Sequence, residues 1–221
     1  MTYTTRDVQA RLAALGHDPG KIDGMMGPKT RTALSAALRA RSGRVVSDLF
    51  HHSGLHRIHL HWTAGADGVI DLERHHYNGI VDRAGNRWDG EYRFEAQARY
   101  QVGRAASHTL NANTGAIGLA ADAMGGAVER PFDAGDAPLT WVQLHELAAW
   151  VAELCVAYDI PVTKWSVLTH AEVQQTLGIR QRNKWDYMWL PDMSGPSDAI
   201  AVGDRLRAMV VEQMQRMDLA A

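Results

Sequence analysis

The chain predicts an α/β fold, with a mixed central sheet flanked by helices and a small all-helical unit ahead of it. Three observations carry this reading. Apolar runs of strand length recur at 57–61, 80–82, 116–121 and 167–169; long amphipathic helical patterns occupy 141–158 and 199–217; residues 5–40 show helical periodicity alone. Strands interleaved with helices build one sheet covered by helices, whereas the leading helical stretch is too small for a large core of its own.

Each element has a local cause. Val8, Leu12 and Leu15 recur at spacings of 4 and 3 behind the capping candidates Thr4 and Thr5, and Gly16 ends that helix. A second helix starts at Gly27-Pro28, with proline in the favoured first position, and carries Thr30, Leu34, Ala37 and Leu38 on one face. DPGKIDGMMG (residues 18–27) is a turn between them. Residues 41–54 lose the period, collect serine and glycine, and are expected as a linker; the second domain then spans 55–221. Ile80 to Asp82, AGN and Arg87-Trp88 predict a hairpin. Thr140 and Gln143 form a capping box for the helix bearing Leu144, Leu147, Val151 and Leu154. Val202, Leu206, Met209, Val210 and Met214 face inward on the last one.

Composition excludes several classes. The 221 residues are 46% hydrophobic and 22% charged with net charge -2, which is ordinary for a globular chain and gives no electrostatic pull toward nucleic acid. No run approaches the ~18 apolar residues of a membrane span, so no integral membrane segment is expected. Met1 to Asp7 is polar and lacks a secretory pattern, which predicts cytoplasmic synthesis without a signal peptide. The single cysteine, Cys155, lies in an apolar helical pattern and is expected as a small buried hydrophobe.

The chemistry gathers at separated positions. His61 ends a predicted strand in RIHLHWTAG (residues 57–65), His170 follows another in THAEVQ (169–174), and Asp186 closes KWD (184–186). Strand-end side chains distant in sequence converge on open sheets, and two imidazoles with one carboxylate and an open position are the make-up of catalytic zinc. Lys184, two positions from Asp186, would stand near a developing oxyanion. The chain has 11 histidines, and from spacing alone His51, His52, His56, His59, His75 and His76 compete for the same part.

Several motifs in order resemble the zinc-dependent N-acetylmuramoyl-L-alanine amidases of the type-2 amidase family, which includes peptidoglycan recognition proteins. IHLHWTAG (58–65) is similar to the family's first strand with its zinc histidine at His61. YNGIVDRAG (77–85) is similar to its tyrosine-led strand and hairpin, and SHTLNANTGAIGLA (107–120) to its groove segment. The resemblance implies a type-2 amidase fold, Zn2+ held by His61, His170 and Asp186, catalytic parts for Tyr77 and Lys184, and substrate contacts by His108 and Asn113. Two departures stand out. Asn78 occupies the place of a histidine after the tyrosine, and the stretch between His170 and Asp186 is longer, with VQQTLGIRQRN (173–183) as an extra helical turn and a basic loop whose Arg180 and Arg182 face stem-peptide carboxylates or solvent.

VQARLAALGHDPGKIDGMMGPKTRTAL (8–34) separately resembles the small peptidoglycan-binding module of cell-wall hydrolases, in which Asp23, Gly24, Gly27 and Thr30 read as turn and capping residues. Together these imply a monomeric peptidoglycan hydrolase of the endolysin type, with a wall-binding unit at 1–40, acting on the cell wall in the periplasm after release. The alternatives are a recognition protein that binds muropeptide without cutting it, and a wall-recycling amidase for soluble fragments.

Overall fold

The computed structural model describes residues 3–220. It is α/β, with a five-stranded mixed sheet ordered β3-β2-β4-β1-β5 and helices packed against it. The strands are β1 (Arg57–Trp62), β2 (Gly79–Val81), β3 (Arg87–Asp89), β4 (Ala116–Ala121) and β5 (Val167–Thr169). β1 pairs in parallel with both β4 and β5, β2 is parallel to β4, and only the β2–β3 hairpin is antiparallel. Every residue of β1 and β4 is buried, as expected of parallel strands covered on both faces.

The two faces of β1 differ in kind. Ile58, Leu60 and Trp62 join the main core with Leu144, Leu147 and Val151 of α4 (Trp141–Ala157) and Val202, Leu206 and Val210 of α6 (Ala199–Ala220). Side chains alternate along a strand, so Arg57, His59 and His61 share the opposite face. α4 starts at the expected capping box: Thr140 Oγ1 accepts from Gln143 N, and Gln143 Oε1 accepts from Thr140 N. Cys155 is buried on it, and burial pushes its thiol up to about 12, as suits an inert hydrophobe.

Ahead of the sheet, α1 (Thr5–Ala14) and α2 (Pro28–Ala40) pack through Val8, Leu12, Ala33 and Ala37. Within residues 41–54, expected as a linker, Val46, Leu49 and Phe50 join that packing. A 3-10 turn at Val46–Leu49 places Leu49 and Phe50 in the same cluster, because apolar side chains on a short connection gain more by burial than by hanging in water. Ala10 on the other side of α1 joins Ala112, Leu168, Val173 and Leu177, so α1 also rests on the sheet-bearing body. Asp23 and Thr30 hold turns as expected: Asp23 Oδ1 accepts from Met25 N, and Thr30 Oγ1 donates to Pro19 O.

No helix of the described residues is long and apolar enough to cross a membrane.

Candidate metal centre

His61, His170 and Asp186 meet in a buried cluster in which one ligand atom from each lies within 4.8 Å of the others. β1 delivers His61 near its C-terminal end. β5 runs beside β1 with Leu60 opposite Thr169, and continuing that register by one residue sets His170 next to His61. Asp186 comes from the loop after α5 (Val173–Leu177), between two aromatic neighbours that hold it in place. The Trp185 ring packs edge-on against Trp62 at 4.8 Å, and the Tyr187 ring lies 5.5 Å from the same indole.

The donor geometry could hold a cation. His61 Nδ1 and His170 Nδ1 stand 3.0 Å apart, and Asp186 Oδ1 is 3.7 Å from the first and 3.8 Å from the second. A four-coordinate ion with bonds of about 2.0–2.2 Å sets its ligand atoms roughly 3.4 Å apart, close to this triangle. The protonation states also suit one. Burial lowers both imidazoles, His170 to about 4, so the rings are neutral; burial alone would raise Asp186, but the two histidines and Lys184 hold its carboxyl below the usual value, so it is ionised.

Behind the ligands, the outer ring nitrogens are engaged. With each Nδ1 turned inward, Nε2 carries the proton, and His61 Nε2–H reaches His108 Nδ1 at 3.2 Å while His170 Nε2–H reaches Gln181 Oε1 at 3.0 Å. His108 Nε2–H in turn donates to Ala116 O at 3.1 Å. Gln181 is held by its own amide, which donates to Leu110 O and Ile179 O. Gln97, fully buried, donates to Ala106 O and Ala116 O and ties the loop around His108 to β4. Gly118 makes room for this stack: a Cβ there would sit 2.4 Å from the His108 ring. Sequence reasoning missed Gln97 and Gln181, since a glutamine acting only through a neighbour carries no motif or charge.

The other expected residues fall at differing distances from the cluster. Tyr77 ends α3 (Asp71–His76), its ring 5.2 Å from His61 and its hydroxyl donating to Trp62 O at 3.4 Å. Burial and the Asp186 charge raise its phenol, which is therefore a neutral donor. Asn78 does not touch that hydroxyl; its side chain accepts from Gly118 N and donates to Tyr92 O, stitching β2 to β4. Lys184 is exposed and lines, with His170, a cleft of about 710 Å³. His108 and Asn113 also line it, but their polar atoms serve the protein: Asn113 Oδ1 accepts from the backbone amides of His108 and Thr109. Arg182 lines the cleft and Arg180 is exposed. Four of the six competing histidines are engaged elsewhere, His59 with Thr109, His56 with Gly54 O, His51 with Ser53 and His75 with Glu91.

Comparison of the chain with models of known protein families and with curated protein sequences finds no match.

Proposed function

We propose that the protein is a zinc-dependent N-acetylmuramoyl-L-alanine amidase that hydrolyses the amide joining muramic acid to the stem peptide of cell-wall peptidoglycan. The observation that carries this reading is the convergence of His61, His170 and Asp186, from three separate segments, on one buried point beside a cleft. Two neutral imidazoles and one carboxylate fit zinc, and the cluster lacks the thiolates that fill closed structural sites. A zinc ion held there supplies a hydroxide-strength nucleophile near neutral pH and polarises a carbonyl.

The remaining chemistry belongs to the side chains. Asp186 brings the negative charge that a buried dication needs, while His108 and Gln181 fix the tautomers of the two imidazoles. Tyr77, neutral and beside His61, orients substrate or solvent by donating its phenolic hydrogen. Lys184, on the cleft rim two residues from Asp186, places an ammonium where oxyanion charge develops. His108 and Asn113 shape the floor of the cleft.

Digestion of purified sacculi tests the reading. The wild type is expected to release new amino-terminal L-alanine and Asp186→Ala to release none above background; equal release above background by both proteins rejects the assigned ligand, and no release by the wild type rejects the reaction.

A further inference from the structure

The cleft at the metal cluster continues away from it. Asn111 and Thr114 belong both to that cleft and to a second cavity of about 530 Å³, which opens where the N-terminal helices meet the sheet-bearing body. Thr4, Thr5 and Arg6 form one wall of this second cavity, and Arg57 and Ile179 contribute to the other. Arg57 lies on the same face of β1 as His61, four residues earlier. At about 3.3 Å per residue the two stand roughly 13 Å apart along the strand.

The chemistry at the far end is that of an anion site with spare capacity. Arg57 has only 5% of its side chain exposed, and its Nη2 donates to Asp7 Oδ1 at 2.8 Å. Its Nε–H has no hydrogen-bond partner among the described residues and is closed to solvent, so it adds to the positive field at the cavity wall without offering a direct contact. Arg6 is fixed across the cavity by donating to Ile22 O and Leu177 O. The one carboxylate lining the cavity, Asp7, is already taken by Thr4 and Arg57, so Arg6, whose charge is also felt by Asp23 behind it, is the guanidinium left to meet a further anion. Arg182 and Lys184 extend that sign along the adjoining cleft.

We propose that this junction is a second binding site, taking the terminal carboxylate of an extended peptide whose other end lies at the metal cluster. A span of roughly 13 Å matches about four extended residues. The anion site stands on residues outside the cluster; naming its ligand a stem peptide rests on the proposed function. The N-terminal helices are then a wall of the substrate groove as well as a neighbouring unit.

The test uses the full-length, nitrogen-15-labelled protein and two synthetic probes, L-Ala-γ-D-Glu-L-Lys-D-Ala with a free C-terminal carboxylate and the same peptide as its C-terminal amide. The free acid is expected to shift the Arg57 Nε–H resonance, and the amide to bind at least fivefold more weakly. Thr114→Trp, at an exposed position where the two cavities join, should weaken the acid at least tenfold with an unchanged unfolding midpoint. Asp186→Ala should retain the shift, since it leaves the junction intact. An unmoved Arg57 Nε–H, equal binding of acid and amide, or wild-type binding by Thr114→Trp overturns the site. An Arg57 shift in a protein that releases no L-alanine from sacculi upholds the junction and rejects the amidase; L-alanine release without the shift does the reverse.

Discussion

The metal cluster and the junction with the N-terminal helices lie on one face of one strand, yet they are held by different forces. At the cluster, the ligand rings are steadied by neutral groups, His108, Gln181 and the backbone carbonyl of Ala116, on elements locked by parallel pairing of β1 with β4 and β5. At the junction, charge does the holding. Asp7 meets Arg57 at 2.8 Å with both side chains nearly buried, and Asp159 receives Arg11 and Arg41, each at 2.8 Å. The difference teaches that the cluster is held by neutral contacts on paired strands, whereas the docking of α1 depends on each charged partner.

Asp7→Ala is the strongest way to break this contrast. It leaves the Arg57 guanidinium buried without its acid and is expected to cost about 3–5 kcal/mol, read as early proteolysis and lost exchange protection in α1 while the sheet stays protected. The same pair sets a pH response. Burial by itself raises the Asp7 carboxyl, but Arg57, His56 and Thr4 outweigh it and hold it far below the usual carboxylate range. A depressed folded value means that its stabilisation is full above the unfolded value of about 3.9 and fades as pH falls below it. Hydrogen exchange of α1 should therefore accelerate below roughly pH 4, while Asp7→Asn, without this titration, should not show that step.

Gln181→Leu sharpens the other side of the comparison. It removes the acceptor for His170 Nε2–H and is expected to weaken zinc binding about 10–100-fold, roughly 1.4–2.7 kcal/mol, measured by chelator competition. Unchanged affinity would make Gln181 a packing residue only. The smallest effect belongs to Arg41→Ala. Its guanidinium is 38% exposed on a half-exposed Asp159, so the loss should be about 0–1 kcal/mol, well below that of Arg11→Ala, whose side chain is 1% exposed on the same acid. A thermal-unfolding comparison of the two separates them.

Legibility followed the range of the interactions. Strands at 57–62, 116–121 and 167–169 and the helix at Trp141–Ala157 stand within a residue of where local pattern puts them, because apolar periodicity and capping act over a few positions. The convergence of His61, His170 and Asp186 was legible as a candidate set, and the sheet order explains it only afterwards: β5 lies next to β1 despite more than a hundred intervening residues. The 3-10 turn at Phe94–Arg99 and the packing of Leu49 and Phe50 were not legible, since each is stabilised by burial against distant segments. Gln97 and Gln181 share that cause. Their roles lie wholly in partners that sequence distance conceals, Gln97 reaching Ala116 O and Gln181 reaching Leu110 O.

The central claim is that three side chains bind one zinc ion, and stoichiometric zinc titration of the metal-stripped full-length protein tests it most directly. One equivalent is expected to bind the wild type tightly, with affinity lost by at least a hundredfold in His61→Ala, His170→Ala and Asp186→Ala alike. Wild-type stoichiometry and affinity in any of the three folded variants would contradict it.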